Sequence, residues 1–434
     1  MKLTKSQIII VGVVGLLVLA LLLIFIGVLP GLRKEDPKAS IKTNLEFWGV
    51  FDSEESYNLA VAAYRETYPG VTVNYRRFTD VAGYERTLLD ALASGTGPDI
   101  FMMRNRSLPR DINKLVPVPA AKFSILALRN LFPQIVESDF VSGGAIYALP
   151  VSIDTLALYY NHDHFDQAVI TSPPATWEEF EAAVPKLVKK EKSEITRAAA
   201  AIGGSADSVE NAVDILSLLM LQSGTRMTDD NFTRAEFGTR LGEAALEFYT
   251  KFADSDSSFY TWNDSMRNSV DAFAEGKVSM MFGYAANAPR ITTKNPFLNF
   301  AVAEVPQPEA AEKVLSYPDY WGYAVSRQSK KQNLSWDFIL TLATVKDNAK
   351  GYLDRTGRPP ALRTLISEKT NDPEFYVFAK QALIARSWRQ PDPDAVSRIF
   401  SEMINSKNSG NIKVSDILDR AEKEVTNLII KLPR

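Results

Sequence analysis

The chain has 434 residues, 46% hydrophobic and 23% charged, with a formal net charge of −3. That length suits two or three compact units. The charge balance, without a basic stripe interleaved with aromatics, argues against nucleic acid as a partner. With no cysteine and only two histidines, there can be no disulfide, thiolate metal site, cysteine nucleophile or lipidated-cysteine anchor, and a multi-histidine metal site has little to be built from.

From Ile8 to Leu29 no residue is charged. At ~1.5 Å per helical residue this run crosses the ~30 Å core of a bilayer. It exceeds the ~7–15-residue apolar region of a secretory signal, and no convincing small-x-small cleavage site follows it. We read 1–7 as a cytoplasmic N-terminus, 8–29 as an uncleaved transmembrane signal anchor and 30–40 as a polar linker, a cleaved signal being the alternative. Lys2 and Lys5 precede the run, and Arg33, Lys34, Lys38 and Lys42 follow it, so basic residues alone do not set its orientation.

Strand and helix patterns then alternate. Leu45, Phe47 and Trp48 mark a strand, and Asp52 and Ser53 stand where they can cap the next helix. Leu59, Ala62, Ala63 and Tyr64 give that helix one apolar face. Residues 71–78 alternate as a second strand. Tyr84, Leu88 and Leu92, four apart, mark a helix that Gly95 stops, and a third strand follows Pro98. This order predicts a parallel sheet covered by helices. Strand-like runs flank Pro150. Thr176 with Glu179 reads as a capping box. Helices are expected over 211–224 and 240–253. A further helix ends at Gly276 ahead of a strand, another strand lies at 321–329, and the last sixty residues read mostly helical.

The glycine-rich stretch from Ala93 to Met103 is not a phosphate cradle. Such a loop follows a strand and opens a helix, whereas here the helix comes first. Gly95 fits a left-handed helix cap, and Asp99 is expected to bind backbone amides of the turn. His162 and His164 could share a metal on one strand face, but no other histidine or cysteine completes the shell, which would fall to carboxylates, and two ordinary loop histidines are the simpler reading. Glu54-Glu55 and Glu178-Glu179 sit in first helical turns, where carboxylates favour the dipole. No nucleophile signature is present. Trp48, Tyr159, Tyr160, Trp262, Tyr284, Tyr320 and Trp321 fall at or near predicted strand ends or turns, where flat rings can bind sugars and other ligands with apolar faces. Packing in the core is the alternative for each.

Six segments in one order carry a resemblance that covers roughly Leu45 to Pro360: LEFWGVFDSEESYNLAVAAYRETYPGVTVNY, LLDALASGTGPDIF, IYALPVSIDTLALYYNHDHF, PPATWEEF, AFAEGKVSMMFGY and DYWGYAVSRQSKK. Together they resemble the family 1 extracellular solute-binding proteins of ABC importers, the group that includes maltose- and oligosaccharide-binding proteins. The resemblance implies an α/β, two-lobe periplasmic-binding-protein-like fold of type II, preceded here by one transmembrane helix. Lobe 1 would comprise 41–152 and 305–348, and lobe 2 153–304 and 349–434.

The resemblance also implies ligand contacts in a cleft between the lobes. Trp48, Asp52 and Ser53 would follow the first strand, and Met103, Arg104 and Asn105 the third. Asp154, Tyr159 and Tyr160 would lie along the first interlobe crossing. Gly283 and Tyr284, then Tyr320, Trp321 and Gly322, would return to the cleft, and Arg358 would sit on a late closing loop. Trp262 is added from its predicted turn, while Trp177 is expected to be structural. The implied role is an extracellular, single-pass receptor that captures a small solute, a sugar by its aromatic richness, and delivers it to ABC permease subunits. No cofactor, metal or catalysis is implied. The alternative is a ligand-sensing ectodomain that partners a separate signalling receptor.

Overall fold

The computed structural model describes residues 4–25, 37–192, 194–266 and 268–432. The expected anchor is a helix over Lys5–Phe25 that is long and apolar enough to cross a membrane. Residues 26–29 of the anchor and 30–36 of the linker lie outside the described residues. The chain divides into two compact units, residues 1–44 with 64–72 and residues 45–63 with 73–434. In the first, Tyr64 and Tyr68 pack ring to ring at 4.9 Å and Lys38 lies over the Tyr68 ring.

Two main sheets organise the described residues. One orders the strands Val71–Phe78, Thr43–Val50, Ile100–Arg104, Trp321–Ser326 and Leu115–Val116, with Ala148–Pro150 also paired to Trp321–Ser326. Thr43–Val50 and Ile100–Arg104 run parallel, as strand–helix–strand connections require, with Phe47 opposite Ile100. Trp321–Ser326 runs antiparallel and places Trp321 opposite Arg104. Gly95 ends the Val81–Ser94 helix at φ 77°, a conformation that costs a residue with Cβ about 1–2 kcal/mol. Asp99 does not bind the turn as expected. It accepts the Glu46 amide of the neighbouring strand and pairs with Lys331 at 2.9 Å, so it ties two strands together.

The second sheet orders Lys189–Glu191, Glu194–Ala201, Val278–Gly283, Ala157–Asn161 and Phe300–Ala303. Every residue of Val278–Gly283 is buried, because helices cover both faces of this central strand. Thr176 caps the Trp177–Leu187 helix by accepting the Glu179 amide, and Glu179 reaches back to the Ala175 amide. The core of this lobe gathers Trp177, Phe180, Leu216 and Phe273 with Val396, Phe400 and Val425 from the C-terminal helices. His164 is buried there, its Nδ1 3.0 Å from Ser279 Oγ.

The lobes are linked where Asp154–Thr155 pairs antiparallel with Pro318–Asp319. A third segment follows the same path, the Arg386 amide donating to the Ser316 carbonyl. The expected boundaries shift accordingly. Val305 and Tyr317 belong to the second core rather than the first. Residues 349–363 stay with the first lobe: Tyr352 and Arg358 bind Asp52, and Arg363 binds the Phe132 carbonyl. The chain joins the second core only at Val377.

Candidate functional site

A cavity of about 340 Å³ opens between the lobes. From the first lobe it takes Phe51, Arg104, Arg106, Asp319 and Trp321, and from the second Glu210, Asn211, Asp214 and Gln390. Two larger surface grooves, of about 540 and 620 Å³, lie against Phe132 and against Phe248. The second of these is walled by the second lobe alone, so it cannot grip a molecule from two sides.

The aromatic wall comes from two strand ends. Trp321 starts its strand, its ring edge-on to Tyr84 at 6.0 Å and to Phe51 at 6.4 Å. Phe51 is the first residue beyond Thr43–Val50. Its φ is 71°, and the Asp52 amide donates across it to the Val50 carbonyl at 2.9 Å, a three-residue γ-turn. A bulky residue in that region is strained, and strain of this kind clusters at binding sites. The turn leaves Phe51 40% exposed, with the Arg358 guanidinium 5.9 Å from its ring centre.

The cavity floor is a charge network. Arg106 donates to Asp214 at 2.7 Å, to Asp319 at 2.9 Å and to the Tyr317 hydroxyl at 2.9 Å. Tyr284 donates to the other Asp214 oxygen at 2.7 Å. Burial works against the Arg106 charge, but Asp214 and its neighbours outweigh it and hold the guanidinium protonated. Its Nε–H is buried without a partner among the described residues. Such a donor costs free energy until it is met. Glu210 is paired with Arg290 at 2.6 Å.

Of the residues expected in the cleft, Arg104 and Trp321 line the cavity, with Arg104 stacked 5.6 Å over the Trp321 ring. Tyr284 reaches it through Asp214, and Arg358 through Phe51. Asp154 accepts the amides of Thr155, Ala285 and Ala286, so it pins the turn after Val278–Gly283. Burial pushes its carboxyl up to about 7 against those hydrogen bonds. Asp52 does not face a ligand. It is buried under the Arg358 guanidinium and the Tyr352 hydroxyl, both at 2.7 Å. Nor does it cap a helix, and Ser53 precedes a 3-10 turn without a side-chain cap bond.

Other expectations are corrected by burial. Tyr159 is fully buried and its hydroxyl binds the Tyr284 carbonyl. Tyr160 points to the opposite sheet face, against Phe165 and His162. The Trp262 indole is buried on Ser208, and Tyr320 is buried on Asp139. Met103 and Asn105 are buried, and Asn105 also binds Asp139. Trp48 packs on Phe78 under Arg76. At Gly322 a Cβ would lie 2.6 Å from Phe140, and at Gly283 2.8 Å from Asn287, so both glycines serve close packing.

Phe51, Arg106, Glu210, Asn211, Asp214, Asp319 and Gln390 escaped the sequence reading. A lone acid in the first turn of the apolar 212–222 helix was the available signal for Asp214. Phe51 and Arg106 lie just past the strand residues that were chosen.

The sequence profile of the bacterial extracellular solute-binding proteins matches residues 60–376. The chain belongs to that family. A binding protein of Brucella abortus (strain 2308) is 23% identical over 325 residues, 73% of each chain. Among solved structures, this solute-binding protein resembles the cyclic α-maltosyl-1,6-maltose binding protein of Arthrobacter globiformis, with TM-score 0.74, 20% identity, and coverage of 90% of this chain and 99% of that one. A cyclo/maltodextrin-binding protein complexed with maltotetraose gives TM-score 0.74, 16% identity, and coverage of 91% and 99%. The sugar-binding protein of Xanthomonas citri gives 0.73, 19%, and 90% and 98%. The expected mixed α/β solute-binding fold and family are therefore met. These identities speak for the fold alone.

Proposed function

We propose that the chain is a membrane-held receptor that captures a carbohydrate in the interlobe cavity and delivers it to an ABC importer. The observation that carries this reading is the pairing of walls: Phe51 and Trp321 on one lobe, and Glu210, Asn211 and Asp214 on the other. Ring faces cover the apolar face of a sugar, while carboxylates, amides and guanidinium groups take its hydroxyls. The unmet Arg106 Nε–H is one donor a hydroxyl could satisfy. The sugars bound by the structural relatives support the same class. A volume of about 340 Å³ lies near the lower end of the ~300–1,000 Å³ typical of ligand pockets, which favours a short sugar.

The site holds rather than cuts. Asp214 and Asp319 are committed to Arg106, and Glu210 to Arg290, so the cavity acids are engaged as ion pairs. Because both lobes contribute groups, solute binds the closed form better than the open one and shifts the population toward closure. The Lys5–Phe25 helix would keep the receptor near its permease and raise its local concentration there.

The test of capture is calorimetric titration with malto-oligosaccharides of one to four rings, with Trp321→Ala as control. Saturable binding that weakens in the variant supports the reading. Membrane fractionation of the full chain tests the tether: recovery in the soluble fraction with the N-terminus removed would refute it.

A further inference from the structure

We infer that a charge cluster at the rim of the cleft latches the lobes together before any solute arrives. On the first lobe, Arg104 ends its strand and Arg110 lies in the Leu108–Asp111 turn of helix. Glu85 sits between them, 3.4 Å from Arg104 Nε and 4.0 Å from Arg110 Nη2. On the second lobe, Asp392 and Asp394 begin the Pro393–Asn408 helix, whose Val396, Ile399 and Phe400 are anchored in the second core. Arg104 meets Asp394 at 3.3 Å, and Arg110 meets Asp394 at 3.5 Å and Asp392 at 3.8 Å. Deeper in the cleft, Arg106 grips Asp214 of the second lobe at 2.7 Å.

None of these contacts passes through a solute. Burial and the nearby Asp394 push the Glu85 carboxyl up to about 7, against the pull of Arg104. A protonated Glu85 leaves both arginines to the aspartates of the other lobe. Opening the cleft would part these opposite charges and leave Arg104 and Arg110 with Glu85 and Asp111 as their remaining acidic partners.

Each exposed rim pair shifts the closed-to-open ratio by roughly 1.5- to 5-fold, so three contacts together give about tenfold. With the lobes otherwise evenly balanced between open and closed, a tenfold bias leaves the empty receptor mostly closed. Loading must wait for the latch to open, and salt accelerates loading, because at ~1 M the screening length falls to about 3 Å.

The test needs no sugar, so it stands or falls apart from the carbohydrate reading. The natural chain has no cysteine, so Thr79→Cys and Asp207→Cys can be labelled alone in the full chain in detergent. Both sites are exposed and flank Val81 and Ala206 on opposite walls of the cavity. Energy transfer between dyes on them reads cleft width. The latched receptor gives the closed distance without sugar. Asp392→Asn with Asp394→Asn raises the open-to-closed ratio about tenfold, and 1 M NaCl does the same to the parent but adds little to the variant. Asn at 392 keeps the oxygen that accepts the Asp394 and Ala395 amides, and an unchanged melting profile shows the fold is intact. A parent already open at low salt, or a double variant with the parent's distances, overturns the latch.

Discussion

Replacing Phe51 separates backbone strain from ring packing. Its φ of 71° costs a residue with Cβ about 1–2 kcal/mol. Phe51→Ala keeps that strain and loses the ring, which is 40% exposed, so the partial burial lost is worth about 1–2 kcal/mol. Phe51→Gly loses the same ring but relieves the strain, at an entropic cost of about 0.5–1 kcal/mol in the unfolded chain. The glycine variant should therefore be the more stable of the two by about 0.5–1 kcal/mol, the reverse of the usual order. Urea denaturation followed by tryptophan fluorescence measures the difference. Both variants should also bind sugar roughly 3- to 10-fold more weakly, the worth of a ring contact of ~0.5–1.5 kcal/mol. If the alanine variant is as stable as the glycine variant or more so, Phe51 is not strained. If affinity is untouched, Phe51 is not part of the site.

Asp52→Asn strips the buried charge from the Arg358 pair at 2.7 Å and should cost about 2–3 kcal/mol of stability. An unchanged urea midpoint would show that the pair is not structural. His164 is held down at about 4, chiefly by burial and then by Arg197. Its folded value lies below the unfolded ~6.5, so its contribution is intact above pH 6.5 and is lost as pH falls toward 4. Between pH 7 and 5 the parent should lose about 1–2 kcal/mol more than His164→Gln, and equal losses in the two proteins would contradict the buried neutral ring.

Much of the fold was legible because periodicity and capping are local. The Gly95 stop, the Thr176 cap and the Leu45–Val50 strand all follow from residues within a few positions of each other. The site was less legible because it depends on which strand face meets the cleft. Tyr159, Trp262 and Tyr320 share the chemistry of ligand platforms, yet each hydroxyl or indole finds an internal partner. Arg106 is far from Asp214 in sequence, and only the lobe packing brings the two to 2.7 Å. Asp52 drew notice as a loop acid, but its partners Tyr352 and Arg358 lie about 300 residues on. The boundary at 349 shifted for the same reason, since helices at the chain's end can return to either lobe.

The central claim is that the wall formed by Phe51 and Trp321 binds a sugar against the second lobe. Titration calorimetry of the purified protein with maltose through maltotetraose tests it most directly. Saturable binding is predicted for at least one of these sugars, with affinity lowered at least tenfold in Trp321→Ala while the variant stays folded. Absence of saturable binding across a carbohydrate panel, or equal affinity in parent and variant, would contradict it.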